Sequence, residues 1–156
     1  GWFELRPSPS GEYISFCEKT SHARCKLSII EAETEEVHRQ FESSFHNYAW
    51  SPNEQKIAFF SSDELFVYSI ENEQIRKVAE PCAPLRGLST VRFLDSERII
   101  YMDCMAEGAF GYHLHLADLT KKESNLIYED PSHFRVIDVI DEGRKIVIET
   151  HVFSVN

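Results

Sequence analysis

The sequence predicts an all-β fold of the β-propeller class, with about three and a half four-stranded antiparallel blades. The segment Ser8–Phe16 recurs 43 residues later as Ser51–Phe59, and two looser copies follow. Short segments with alternating apolar residues flank each copy, which is typical of β-strands. Repeats of about 40 to 45 residues that hold four strands each are the usual signature of propeller blades.

Alternation and turn residues place the strands most clearly in the second unit, residues 47–79. A short strand ends at Trp50, the turn Ser51–Gln55 follows, and the strand Lys56–Phe60 returns. A second hairpin then occupies residues 65–78. This arrangement predicts two hairpins, and so four strands, in one unit.

The remaining units repeat this plan. The first unit spans residues 5–41 and the third spans residues 90–128, while the fourth, residues 135–156, shows only its first hairpin. The aromatic residues at recurring strand positions are predicted to lie in or near the core, since they alternate with polar residues. These residues are Phe16, Trp50, Phe59 and Tyr101.

A stack of three and a half blades leaves both end faces uncovered, because closed propellers typically contain about four to eight blades. One explanation is that the chain is a segment of a longer propeller. The other is a homodimer in which two half-rings complete one propeller. We expect such a dimer, with the strand Trp2–Leu5 pairing with the unfinished fourth unit of the partner.

Composition narrows the classes of partner. The chain is 42% hydrophobic and 27% charged, and its formal net charge is −10. This balance argues against nucleic acid and anionic membranes as partners, since both require clustered Lys and Arg. No apolar run reaches the ~20 residues of a spanning helix, and no targeting signal is visible at the start of the chain. We therefore predict a cytoplasmic protein.

The stretch Trp50–Phe59, followed by Leu65–Tyr68, resembles the WD40-like repeat of TolB-type β-propellers. The resemblance covers nearly the whole chain, although Leu94-Asp95 and Ile140-Asp141 replace the Ser-Pro pair in the later units. It implies a binding platform, or a gating domain attached to a peptidase or other hydrolase. It also implies that the repeat motif itself is structural and carries no chemistry.

Strand order sorts the connections onto two edges of the blades. Connections after the second and fourth strands of a blade share one edge, the loop edge, which is predicted to carry residues 17–25, 80–90 and 103–112. Arginine and aromatic residues dominate interface energetics, and we predict a non-catalytic module that docks a protein partner or a ligand here. An equally weighted alternative is that these side chains pack over the blade ends. The candidate contact residues are Arg86, Leu88, Met105, Phe110, His22 and His46.

Cysteines and histidines also collect on the loop edge. Thiolates and imidazoles are the usual ligands of zinc, so a zinc site is one interpretation, but no CxxC or HxxxH spacing is present. Cys17 and Cys25 would suit a disulfide equally, and reduced thiols are the favoured interpretation in a cytoplasmic protein. No metal and no cofactor are predicted. The other members of this set are Cys82, Cys104, His133 and His151.

The opposite edge, the turn edge, collects the tight turns and much of the acidic charge, including Glu12, Glu54, Glu97 and Asp141. An inhibitor that neutralises a basic partner would suit this edge, which gives a further alternative function. An enzyme is not predicted, because no nucleophile elbow, P-loop or zincin motif is present. His113 and His115, with Asp118 nearby, are interpreted as a solvent-facing row on a strand.

Overall fold

The computed structural model describes most of the chain, in separate segments. The described residues are 3–21, 24–44, 48–62, 64–81, 91–104, 111–130, 133–140 and 144–151. No helix occurs among these residues, and consequently none of them forms a helix that spans a membrane.

The described strands form four antiparallel sheets. Blade 1 contains β1 (Phe3–Pro7), β2 (Tyr13–Lys19), β3 (Arg24–Glu31) and β4 (Val37–Ser44). Blade 2 contains β5 (Tyr48–Trp50), β6 (Lys56–Ser61), β7 (Glu64–Ser69) and β8 (Ile75–Ala79). Blade 3 contains β9 (Val91–Phe93), β10 (Arg98–Cys104), β11 (Tyr112–Asp118) and β12 (Glu123–Asp130). The fourth unit contains β13 (His133–Ile140) and β14 (Lys145–His151).

The predicted fold class is confirmed. Each of the three full sheets pairs its strands in chain order, and the fourth unit is a single hairpin. Consecutive antiparallel strands joined by short connections make up a propeller blade. Three blades and a half-blade are therefore present in the described chain.

Blade 2 is buried on both faces, which explains the continuous apolar run in β6. Ile57 and Phe59 pack in a cluster with blade 1, whereas Ala58 and Phe60 pack in a cluster with blade 3. Successive side chains of a strand point to opposite faces, so a strand between two neighbours needs apolar residues at every position. A third cluster joins blade 3 to the fourth unit.

The aromatic core predictions are confirmed for three of the four residues. Phe59 is 2% exposed and Tyr101 is 4% exposed, and the half-buried Trp50 packs against the core between blades 1 and 2. Phe16 is half-buried on the opposite face of blade 1 and belongs to none of the core clusters of the described residues. The Trp50 indole Nε1 donates a hydrogen bond of 2.9 Å to the Ser15 hydroxyl of blade 1, which satisfies its only polar atom.

The turn edge is built from tight turns with left-handed residues. Gly11 and Glu54 occupy equivalent positions in the turns of blades 1 and 2, with φ angles of 85° and 61°. Glycine adopts this conformation without steric penalty, whereas glutamate does so at some cost. The Glu54 carboxylate offsets this cost by accepting hydrogen bonds from the blade 1 turn, at 2.8 Å from the Ser8 hydroxyl and 2.6 Å from the Ser10 hydroxyl.

The N-terminal strand belongs to blade 1. Phe3–Pro7 pairs antiparallel with β2 of the same chain and lies at the edge of that sheet, and its pairing with the fourth unit of a partner stays a prediction. Arg6 of this strand also donates a hydrogen bond of 2.6 Å to the Tyr48 carbonyl of blade 2. The strand therefore completes blade 1 and is held there from both sides.

Candidate functional site

A polar cluster lies where β10 and β11 approach the loop edge of blade 3. The antiparallel register places Asp103 directly opposite His113, and Tyr101 directly opposite His115. Directly opposite residues in an antiparallel pair project to the same face of the sheet. Tyr101 belongs to the apolar cluster between blades 2 and 3. The three polar side chains therefore lie on the face of blade 3 that packs against blade 2.

One carboxylate oxygen is the centre of this cluster. Asp103 Oδ1 lies 3.0 Å from His115 Nε2 and 3.3 Å from His113 Nδ1. The Asp103 side chain is 6% exposed, whereas those of His113 and His115 are 22% and 19% exposed. A buried carboxylate is costly unless polar partners compensate it, and the two imidazole rings supply such partners.

Aromatic packing fixes one of the two rings. The Tyr101 ring stacks on the His115 ring with centroids 4.9 Å apart and planes 7° from parallel. The Tyr101 hydroxyl is itself held 2.7 Å from the Ser124 hydroxyl of β12. Burial raises the pKa of Tyr101, so the phenol is neutral and stays a hydrogen-bonding group.

The predicted environment of His113 and His115 was wrong. They were interpreted as a solvent-facing row near Asp118, but they are largely buried beside Asp103. The side chain of Asp118 lies at the other end of β11 and accepts hydrogen bonds from the turn that follows it. Those bonds, the Thr120 hydroxyl first, lower the pKa of Asp118 to about 2. The correct partner was missed because cross-strand register, not sequence distance, brings Asp103 to the histidines.

The six predicted docking residues lie outside the described residues. Arg86 and Leu88 belong to the connection between β8 and β9, and Met105 and Phe110 belong to the connection between β10 and β11. His22 belongs to the connection between β2 and β3, and His46 belongs to the connection between β4 and β5. Cys82 is likewise outside the described residues.

Cys17 and Cys25 are not loop residues, and this part of the loop-edge prediction was wrong. They lie in β2 and β3, both buried, and the structure joins them in a disulfide with Cα atoms 5.5 Å apart. The register pairs Lys19 with Cys25, so the two cysteines are diagonal neighbours on the face that packs against blade 2. The prediction of reduced thiols is therefore wrong for this pair.

The remaining cysteine and histidines of that set fall at strand ends. Cys104 is the last residue of β10. His133 begins β13 and His151 ends β14, and the two are paired across the hairpin. These positions are close to the loop edge but belong to sheets rather than to loops.

The turn edge uses part of its acidic charge internally. Glu97 of blade 3 forms an ion pair with Lys56 of blade 2, and Glu54 accepts bonds from blade 1 as described above. Hydrogen bonding by Ser10, ahead of a small opposing effect of desolvation, lowers the pKa of Glu54. These carboxylates tie neighbouring blades together, which reduces the charge available to an external basic partner.

Comparison with solved structures places this arrangement among known folds. The propeller domain of the Trilobed protease from Pyrococcus furiosus matches 93% of the chain with a TM-score of 0.67 at 17% identity. An acylaminoacyl peptidase from Pyrococcus horikoshii matches 93% with a TM-score of 0.68 at 16% identity. TolB from Acinetobacter baumannii matches 80% with a TM-score of 0.58 at 14% identity. The chain has a TolB-like propeller repeat fold.

The chain is shorter than each of these solved structures. It spans 47% of the Trilobed protease propeller domain, 27% of the acylaminoacyl peptidase and 31% of TolB. No protein-family model matches it, and no curated protein sequence matches it. At these identities the likeness establishes the fold alone.

Proposed function

We propose that this chain is a non-catalytic propeller module that docks a protein partner at the loop edge of its blades. The contrast between the two edges carries the proposal. Described polar residues of the turn edge, such as Glu54 and Lys56, are engaged with neighbouring blades. The loop edge instead carries the long connections, residues 80–90 and 105–111. Long connections on a rigid scaffold are common sites of binding.

Sequence composition supports the same edge. The two long connections contain Arg86, Leu88, Met105 and Phe110 among glycines. Arginine and large apolar side chains are the residue types that contribute most to protein interfaces. These residue types therefore favour a protein partner for the two connections.

Truncation of the predicted anchor tests this proposal. The immobilised chain and its Phe110→Ala variant are compared for bound proteins by quantitative mass spectrometry, and the partner is then purified and titrated. We expect roughly 30-fold weaker binding by the variant, which corresponds to a hot spot of about 2 kcal/mol. The turn-edge variant Glu71→Ala is the matched control and should bind like the parent chain.

The thermal midpoint decides how a loss of binding is interpreted. The midpoint of Phe110→Ala should stay close to that of the parent chain. A large drop would assign Phe110 to packing over the blade ends, and equal binding by both proteins would contradict docking at this edge.

We further propose that two copies associate so that their blades complete one ring. The outer face of blade 1 supports this, because Leu5 is 64% exposed and lies opposite the half-buried Phe16. Ile14 and Ile30 pair on the same face. The chain also spans about half of a propeller domain, 47% of that of the Trilobed protease.

Light scattering coupled to size exclusion tests the dimer. A mass near twice 18.1 kDa that persists on dilution is expected. A Leu5→Lys variant, which places a charge on the outer face of blade 1, should shift the mass toward that of one chain. A single-chain mass for the parent protein at all concentrations would contradict the dimer.

A gating propeller of a larger peptidase is the second candidate function. Two of the solved structures described above are a protease propeller domain and a peptidase. Such a role requires a catalytic domain encoded next to this segment. Reading the gene on both sides of the segment tests it, and the absence of any hydrolase domain would exclude this role.

A further inference from the structure

We propose that Asp103, His113 and His115 form a binding site for a divalent transition-metal ion, with zinc the first ion to test. Two imidazole nitrogens and one carboxylate oxygen approach a common point, all within 4.8 Å of one another. Zinc is bound by these donor types, and sites with three protein ligands keep a further position for water or another ligand. This proposal does not depend on the docking function.

Two of the three distances between ligand atoms already suit a tetrahedral site, and the third, between the two histidine nitrogens, is at most 4.8 Å. In tetrahedral zinc sites with bonds of about 2.0–2.2 Å, neighbouring ligand atoms are about 3.3 Å apart. His113 Nδ1 and His115 Nε2 already lie 3.3 and 3.0 Å from Asp103 Oδ1. An ion between them would take the place of the proton that one imidazole shares with the carboxylate, since ligating histidines are neutral.

The ligands sit on a rigid part of the molecule. All three belong to β10 and β11, which are paired in register from one end to the other. Sites on strands hold their geometry better than sites on loops. The stacked Tyr101 ring limits rotation of the His115 ring, so that ligand is oriented before an ion arrives.

A second carboxylate lies behind one ligand. Glu129 of β12 has its Oε2 atom 3.9 Å from His113 Nε2, the nitrogen that does not face Asp103. Ligating histidines usually donate their other N–H to a carboxylate or carbonyl, which orients the ring and raises its basicity. At 3.9 Å this contact is longer than a hydrogen bond, and a change of the exposed Glu129 rotamer would be needed for it to position the His113 ring.

Burial favours an ion at this point. Asp103 is 4% exposed, and its charge is poorly screened by water. The partly exposed histidine rings leave a path from the solvent. A divalent cation would therefore meet the Asp103 carboxylate beside two imidazole nitrogens.

Titration of the tag-free, chelator-treated chain with zinc chloride tests the proposal by calorimetry. We expect one equivalent to bind through this site in the parent chain. His115→Ala should weaken that binding by more than the roughly 10- to 100-fold that loss of an outer partner costs, and Asp103→Asn should also weaken it. His38→Gln is the control, because His38 contacts Tyr68 in a different cluster and its loss should leave the affinity unchanged.

Histidine side-chain NMR of the parent chain keeps the test independent of variant stability. Signals of His113 and His115 should change together and saturate at one equivalent of zinc. If they do not respond, or if both folded variants bind zinc like the parent, the three residues form an ion-pair cluster only. Binding that persists in those variants would be assigned to the other histidines or cysteines, and the proposal would be rejected.

Discussion

The two faces of blade 2 pack against neighbours in different ways. The face toward blade 1 is rich in aromatic rings, with Phe41, Phe59 and Phe66 in successive stacked contacts 4.8 and 5.9 Å apart. The face toward blade 3 is mainly aliphatic, and Phe60 meets Tyr101 edge-on at 6.4 Å. One repeat thus supports two chemically distinct cores.

This difference determines where polar groups are tolerated. A disulfide within blade 1 lines the aromatic interface, and the Trp50–Ser15 hydrogen bond crosses it. The aliphatic interface continues into the Asp103, His113 and His115 cluster at its loop-edge end. Bonds between structural residues therefore occur at the interface of blades 1 and 2, whereas the candidate metal ligands lie at the interface of blades 2 and 3.

Substitution of two adjacent phenylalanines in β6, one on each face of blade 2, should give the largest change in stability. Phe59 and Phe60 are both buried but project to opposite faces of β6, so each contributes to one interface only. Phe59→Ala and Phe60→Ala should each lower the free energy of unfolding by about 3–5 kcal/mol, measured by urea denaturation.

Hydrogen exchange would separate the two variants. Phe59→Ala should reduce protection mainly in blades 1 and 2, and Phe60→Ala mainly in blades 2 and 3. The same pattern in both variants would mean that the blades unfold as one unit and that the two interfaces are not independent.

The repeat predicted most of this fold. The turn Ser51–Gln55 and the apolar run that follows it were sufficient to place β5 and β6, because turn residues and short apolar runs are local information. The repeat spacing then predicted strands at the corresponding positions of the other blades. The paired strands of the fourth unit followed from the weaker copy near Ile140.

The candidate site could not be predicted in the same way. Asp103 and His113 are brought together by the register of β10 with β11, which the sequence does not display. Proximity in sequence pointed to Asp118 instead. Likewise, Cys17 and Cys25 were assigned to a loop because the lengths of β2 and β3 depend on their pairing, not on local composition.

Reduction of the disulfide in blade 1 gives the next largest effect, on the blade 1 side of the aromatic interface. Cys17 and Cys25 are separated by 8 positions, and closing a loop of that size stabilises a fold by about 2.5 kcal/mol in the chain-entropy description. Urea denaturation with and without a thiol reductant should show this loss. Alkylation of both cysteines in the folded, untreated protein would contradict the bond.

The hydrogen bonds that Glu54 accepts from the blade 1 turn should make a smaller contribution to stability, and this contribution depends on pH. Its pKa is lowered from 4.5, chiefly by the Ser10 hydrogen bond, because the ionised carboxylate accepts bonds from the turn of blade 1. A depressed pKa in the folded state contributes stability above the ordinary value of 4.5, and this contribution is lost as the pH falls through the lowered pKa.

Glu54→Gln removes the charge while keeping the shape of the side chain, so it isolates this contribution. The variant should be less stable than the parent at about pH 6, and the difference should shrink as the pH falls through the lowered pKa of Glu54, where the parent carboxylate becomes protonated as well. Glu12→Gln is the matched control, because Glu12 is exposed in the equivalent turn of blade 1 and its side chain makes no described bond to another blade. A difference that persists unchanged at low pH would show that Glu54 acts through packing at the turn, and that blades 1 and 2 are held by their aromatic core rather than by their turn edge.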